Sequence, residues 1–294
     1  MKPPIRVART LWAGLFPLYI MEALNLMLDV FEIVDVEEYD ETLLLLENGE
    51  IDANFNSLAD ALLLIGKGID LKLVMASDLT IGVDGVVSHP SITQVQQLAG
   101  KRIGLSLNTY PHVLIQQILE QYGLKEEDVE LVNVRGEQVP QWLQKGEIDA
   151  GHTWGIHLQE ALDQGGRLLF TSAEYPGLLV DSLFVRADVL RDHRDEWLAF
   201  VKAHDAALAY WQANPQAGMD ILSQGTGYQA GEIEKMLEGV EFITHESGPP
   251  LFDQKGASPP NLYASGRLFM DFYLEKGVLR RPLRLEEIIQ PIGF

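Results

Sequence analysis

Gly49-Glu50-Ile51-Asp52-Ala53 recurs letter for letter as Gly146-Glu147-Ile148-Asp149-Ala150. One five-residue match can arise by chance, so the flanks decide its meaning. Ahead of the first copy stands Glu32-Ile33-Val34-Asp35-Val36, and ahead of the second Glu130-Leu131-Val132-Asn133-Val134. Further upstream, Ile5-Arg6-Val7-Ala8-Arg9 leads through a loop to Phe16-Pro17-Leu18-Tyr19-Ile20. Its counterpart Lys101-Arg102-Ile103-Gly104-Leu105 leads to Tyr110-Pro111-His112-Val113-Leu114. Four landmarks in one order at near-constant spacing read as a structural duplication, with too few copies for a solenoid.

Each copy alternates strand and helix. A β-branched strand is followed by a helix with Pro in its first turn, where a missing N–H costs nothing. A second strand follows, then a helix (41–47 and 138–145) ended by Gly49 or Gly146, a short strand at Ile-Asp-Ala, and a helix ending near Gly66 or Gly165. This pattern predicts an α/β fold with parallel sheets covered on both faces, one lobe per copy. Residues 78–87 read as an extended crossing between lobes and 178–185 as the return. The expected division is 1–87 with 183–294 as one lobe and 88–182 as the other, joined by two crossover segments that act as a hinge. Beyond the second copy, 190–211 and the stretch from Pro215 read as helices, 247–260 as a loop, and 263–276 as a last helix.

Composition narrows the function. With 294 residues, 47% hydrophobic and 22% charged, the chain has core enough for two lobes. No apolar run reaches the roughly 18 to 20 residues that span a bilayer. The start, Met1-Lys2-Pro3-Pro4, shows no apolar leader segment. The location expected is periplasmic or extracytoplasmic with the leader absent from this sequence, and the cytoplasm is the alternative. There is no cysteine, which excludes thiolate chemistry, iron–sulfur clusters and Cys-based zinc sites. A net charge of −21 argues against nucleic acid, whose phosphates demand clustered Lys and Arg.

In open parallel sheets, ligands sit beyond the carboxyl ends of the strands, where helix N-termini point. Two facing lobes would therefore share one cleft, lined by the segments between strand and helix: 10–14, 54–57, 106–109 and 151–154. The candidate ligand-binding residues are Trp12, Asn56, Ser57, Ser106, Asn108, Thr109, Thr153 and Trp154, with Asp84 and Asp181 on the two crossings at the back. Ser57, Thr109 and Thr153 are also candidate N-caps. Trp12 and Trp154, in opposite lobes, offer flat faces for a ring or methylene chain. Only Arg9 and Arg102 lie at the margins of these loops. A strongly anionic ligand usually recruits a guanidinium. A neutral or amine-bearing ligand, such as a nitrogen heterocycle, is thus expected, with a sulfonate on helix N-termini as the alternative.

The run from Asp78 to Asp84-Gly85, then Leu98-Ala99-Gly100-Lys101-Arg102-Ile103-Gly104, resembles the taurine/nitrate/sulfonate type of ABC-importer binding protein. That group includes relatives that bind the pyrimidine precursor of thiamine. Residues 49–58, 146–154 and 262–291 fit the same pattern, so the resemblance covers nearly the whole chain. It implies a periplasmic-binding-protein fold of the second topological class, ligand capture by hinge closure as a monomer, and docking to a membrane permease. In that family a Pro commonly stands two residues after the Trp of the second Asp-Ala segment; here Trp154 is followed by Gly155 and Ile156. The Cys-rich motif of the related thiamine-pyrimidine synthases is missing.

Enzyme signatures are sparse. His152 and His157 are five apart and miss the i, i+4 zinc spacing, so they read as surface and cap residues. No G-x-S-x-G elbow, P-loop or Rossmann fingerprint appears. No catalytic residue, metal site or cofactor is expected. Two alternatives share such a scaffold: a ligand-sensing domain of a signalling protein, and a cofactor-biosynthesis enzyme of the kind found in menaquinone assembly.

Overall fold

The repeated pentapeptide is a clamp. In the computed structural model, which describes residues 3–175 and 177–293, the Asp52 carboxylate accepts from the Arg6 amide at 2.8 Å and from its guanidinium. The same guanidinium donates to the Gly49 carbonyl at 2.9 Å. Around Asp149 the set recurs: the Arg102 amide at 2.9 Å, its guanidinium, and the Gly146 carbonyl at 2.8 Å. Gly49 and Gly146 take φ of 73° and 68°, a left-handed helix exit that a side chain disfavours. Each motif thus ties the end of one helix to the first strand of its own copy.

The first copy runs β1 (Ile5–Arg9), α1 (Phe16–Ala23), β2 (Phe31–Asp35), α2 (Tyr39–Asn48), β3 (Ala53–Asn56) and α3 (Leu58–Gly66). Then come β4 (Leu71–Thr80) and β5 (Asp84–Ser88). The second copy runs β6 (Arg102–Leu105), α4 (Tyr110–Gln121), β7 (Glu130–Asn133), α5 (Val139–Gln144), β8 (Ala150–Trp154) and α6 (Gly155–Asp163). It is followed by β9 (Arg167–Thr171), β10 (Val180–Arg186), α7 (Ala187–Asp192), α8 (Arg194–Ala213), α9 (Pro215–Thr226), α10 (Ala230–Leu237), β11 (Val240–Phe242), α11 (Leu262–Glu275) and α12 (Leu285–Ile288). Pro17 and Pro111 both sit in the first turn of their helices, as the sequence predicts.

Two sheets result, in the orders β11-β4-β10-β3-β1-β2 and β7-β6-β8-β5-β9. In each, a parallel triplet from one copy (β2-β1-β3 or β7-β6-β8) is extended by an antiparallel strand, β10 on β3 and β5 on β8. The duplication read from sequence is therefore a duplication of sheet topology, and the fold is the two-lobed α/β arrangement expected.

The first crossing is shorter than the sequence suggested, and the return lies earlier in the chain. Thr80 still pairs in the first sheet and Asp84 already in the second, so only 81–83 cross. The return falls between Thr171 and Val180. Residues 84–87 therefore pair with the second sheet and 180–182 with the first, each on the other side of the division expected at 87/88 and 182/183. The reason is hydrogen bonding: a buried extended segment must pair its N–H and C=O groups, and a strand edge is the nearest partner.

On one face of the first sheet α1 and α8 bury Phe16, Leu18, Trp197 and Phe200 against Val7 and Leu183. Phe31 lies edge-on to Trp197 at 5.0 Å. On the other face α3 and α11 bury Leu62, Leu73, Phe269 and Tyr273, and this apolar cluster continues into the second lobe through Leu114 and Ile118 of α4. Each such side chain contributes roughly 1.5–3 kcal/mol by leaving water.

Candidate functional site

A cavity of about 260 Å³ opens between the lobes at the carboxyl ends of β1, β3, β6 and β8. Trp12, Ser57, Asp84, Ser106, Thr109, Trp154 and Asp181 line it. Asn56, Asn108 and Thr153 do not. Two segments read as loops are strand ends: β3 runs through Asn56 and β8 through Trp154. Side chains then alternate between faces. Phe55 faces the cavity and Asn56 the opposite side, fully buried in the first sheet. His152 and Trp154 face the cavity, while Thr153 points away and donates to the Gly136 carbonyl at 2.8 Å. Asn108 adopts φ of 61°, its amide donates to His112 Nδ1 at 3.2 Å, and its carbonyl accepts from the Tyr273 hydroxyl at 3.0 Å. It shapes the loop rather than lining the cavity.

The capping roles also sort themselves out. Ser57 caps α3, its Oγ accepting from the Asp60 amide at 3.2 Å. Thr109 occupies the cap position of α4, but its hydroxyl donates to the Ser106 carbonyl at 2.7 Å. Thr153 is no cap; Trp154 holds that position for α6.

Side chains the sequence did not single out complete the walls, among them Tyr39, Asp40, Asp60, Tyr110 and His152. His152, expected at the surface, is buried with Nε2 at 3.3 Å from Asp84 Oδ1. Period-two alternation along β8 was the signal that placed it beside Trp154. The lobes touch across the cavity: Tyr39 meets Trp154 edge-on at 6.2 Å, the Ser106 hydroxyl donates to Asp40 at 3.3 Å, and Arg135 pairs with Glu38 at the rim. Trp154 lies on Gly136, where a Cβ would overlap the ring; Gly14 does the same for Trp12 and Asp78.

Charge is the dominant feature. Glu37, Asp40, Asp60, Asp84, Glu137 and Asp181 line the cavity, and among the described residues no Lys or Arg does. The marginal arginines are engaged elsewhere, Arg9 by Asp35 and Glu22 and Arg102 by Asp149. Burial, with Asp60 and Glu137 nearby, pushes Asp40 up to about 6. Asp60 rises through burial although the Tyr39 and Ser57 hydroxyls donate to its Oδ2 at 2.7 Å each. Behind the cavity, burial pushes Asp78 up to about 6, and Asp181 is held well above the carboxylate range by burial and then by Asp78. Among the lining side chains, Asp60 Oδ1, Glu137 Oε2, the Tyr110 hydroxyl, Trp12 Nε1 and both ring nitrogens of His152 have no hydrogen-bond partner among the described residues.

The NMT1/THI5 like family matches residues 27–218, more than half of the chain. The chain belongs to that family. The taurine-binding periplasmic protein of Escherichia coli K12 is 25% identical over 170 residues, 55% of this chain and 53% of that protein. A protein of Haemophilus influenzae named for thiamine biosynthesis is 25% identical over 205 residues, 69% of this chain and 62% of that protein. The chain thus spans between half and two thirds of these relatives. Of solved structures, the periplasmic aliphatic sulphonate binding protein of Escherichia coli shares the fold with a TM-score of 0.78 at 17% identity, over 100% of this chain and 94% of that one. The desulfurization enzyme DSZB shares it as well, with a TM-score of 0.69 at 16% identity over 99% and 97% of the two chains. The resemblance read from sequence holds, and so does the fold it implied.

Proposed function

We propose that this chain is a solute-binding protein that closes two lobes over a small nitrogen-bearing organic molecule outside the cytoplasm and delivers it to an ABC importer. One observation carries the reading: the cavity is walled by Trp12 from one lobe and Trp154 from the other, with six carboxyl side chains in the same lining and neither Lys nor Arg among the described residues that form it. A flat ring held by both lobes stabilises the closed form, since only a ligand with higher affinity for that form shifts the balance. Ser57, Ser106 and Thr109 supply hydroxyls for orientation, and Asp84 and Asp181 suit an amine. The crossing at 81–83 and the return between Thr171 and Val180 serve as the hinge. The relatives named for taurine and sulphonate point to the same mode of capture, whereas the acidic lining here favours nitrogen over sulfonate.

The test is a thermal-shift screen across sulfonates, nitrate, aminopyrimidines and vitamins, because a binder raises Tm by mass action. Dose-dependent stabilisation by a nitrogen heterocycle supports the reading; stabilisation by sulfonates alone refutes the ligand class. A second reading, an enzyme on this scaffold, draws on the approach of His152 Nε2 to Asp84 Oδ1 at 3.3 Å, which brings a base and an acid together in the cavity wall. Consumption of a bound compound, followed by mass spectrometry, would replace the transport reading with that one.

A further inference from the structure

The carboxyl groups at the floor of the cleft come from elements far apart in sequence. Asp181 lies on β10, Asp84 opens β5, and Asp60 sits in the first turn of α3. Facing them are Asp78 on β4, Tyr39 and Asp40 on α2, Tyr110 on α4, Glu137 ahead of α5, and His152 on β8. Among the described residues, His152 is the one basic group at ion-pair distance from Asp60, Asp84 or Asp181, and it reaches Asp84. Carboxylates this close in a buried site cannot all ionise without a counter-charge.

We propose that Asp60, Asp84 and Asp181, together with the Tyr110 hydroxyl, form a head-group subsite for the positive charge of an organic cation, which enters in exchange for a proton held by the carboxyl cluster. This rests on the binding-protein reading of the cleft. The unpartnered atoms give it a direction. Asp60 and Tyr110 are 1% and 3% exposed, both line the cavity, and Asp60 Oδ1 and the Tyr110 hydroxyl lack partners among the described residues. Buried polar atoms normally find partners, so these atoms await one from the ligand; the carboxylate oxygens Asp60 Oδ1 and Glu137 Oε2 need a donor, whereas Trp12 Nε1 offers one to the rest of the molecule. An ammonium, an amidinium or a protonated ring nitrogen is a donor and satisfies a carboxylate; a sulfonate only accepts and cannot. Trp12 and Trp154 favour a cation lying against their faces. No cluster of His, Asp or Glu among the described residues is arranged for a metal ion, so the charge belongs to an organic group. The exchange balances simply: the cation enters, a carboxylic acid loses its proton to water, and the ion pair remains.

Calorimetry with N-methylpyridinium and benzamidinium tests this, with methanesulfonate as the opposing probe. Benzamidinium stays charged across this pH range and donates through its N–H groups, so its pH dependence reports on the protein, while N-methylpyridinium, with the charge but no N–H, reads the contribution of charge alone. The expected result is binding that tightens several-fold from about pH 5.5 to about pH 7.5, with heats that depend on buffer ionisation because protons leave. Asp181→Asn, isosteric and checked for folding by circular dichroism, should lose about tenfold or more in cation affinity. Asp84→Asn provides the same reading should the first variant misfold. Failure of both cations to bind, affinity independent of pH, or binding of methanesulfonate instead overturns the subsite. Methanesulfonate binding that is lost in Trp154→Ala would sink the subsite while leaving the binding-protein reading intact. Turnover of a bound compound without either probe binding would sink both.

Discussion

Asp181 stands directly opposite Asp78 in the β4–β10 ladder. Opposed residues on antiparallel strands project to the same face, where like charges repel. Both side chains are buried, so two carboxyl groups are held together away from water with Ser77 donating to Asp78 Oδ1 at 2.9 Å. The low-cost arrangement keeps a proton on the pair. Asp78 lies at about 6, raised chiefly by burial.

That position has a consequence for stability. A carboxyl raised in the fold favours the protonated form, so its contribution is complete below about pH 4 and is lost as pH rises through about 6. Between about pH 8 and pH 5 Asp78 alone adds roughly 1–2 kcal/mol. Asp78→Asn keeps the shape and removes the titration. Urea unfolding of the ligand-free protein at both pH values should show a pH dependence that differs between the native chain and the variant by that increment. Equal slopes for the two would place the proton elsewhere.

His204 works in the opposite direction. It is 1% exposed within α8, and neither ring nitrogen has a partner among the described residues. Burial pushes it down to about 4. A lowered histidine favours the neutral form, so its contribution is present above about pH 6.5 and disappears as pH falls through about 4. Acidification from about pH 7.5 to pH 5 therefore costs roughly 2 kcal/mol at this side chain. His204→Leu leaves no hydrogen bond broken and should abolish that loss in the same unfolding experiment. A variant as acid-sensitive as the native chain would remove His204 from the account.

These two groups, and the cleft carboxylates other than Asp84 and Asp181, were the least legible parts of the sequence. The duplication was legible because its landmarks are constrained residue by residue: Asp52 and Asp149 must clamp an arginine, and Gly49 and Gly146 must take a left-handed φ. The walls were half legible. Knowing that the ends of strands line a cleft does not say which of two neighbours faces it, and alternation chose Phe55 over Asn56 and His152 over Thr153. Asp40 and Asp60 sit in the first turns of α2 and α3, where acids ordinarily complement the helix dipole, so nothing local set them apart. Their meaning arises only when the second lobe brings Ser106 and Tyr110 against them.

The clamps should carry stability in proportion to their burial. In the first copy the Arg6 and Asp52 side chains are 35% and 15% exposed; in the second, Arg102 and Asp149 are 37% and 29% exposed. Asp52→Ala strips one guanidinium of its partner and one strand amide of its acceptor, which should cost about 1–2 kcal/mol after allowance for solvent. Asp149→Ala should cost less. Thermal melts of both variants check the order, and a larger loss at Asp149 would mean that the second lobe depends on its clamp for more than these bonds.

The seat of Trp154 provides the sharpest test of the cleft. The indole rests on Gly136 because no Cβ is there to hold it off, and the loop carrying Gly136 belongs to the same lobe as β8. Gly136→Ala forces the ring to swing, and the space open to it is the cavity. The variant should then lose ligand affinity about as much as Trp154→Ala, roughly 1–3 kcal/mol, the scale of a buried aromatic contact. Its tryptophan fluorescence should shift even without ligand, whereas Trp154→Ala simply loses that emission. Titration of whichever compound the thermal screen identifies reads both. If Gly136→Ala leaves affinity and emission unchanged while Trp154→Ala weakens binding, the ring has room to move without entering the cleft, and its seat on Gly136 is not what aims it at the ligand.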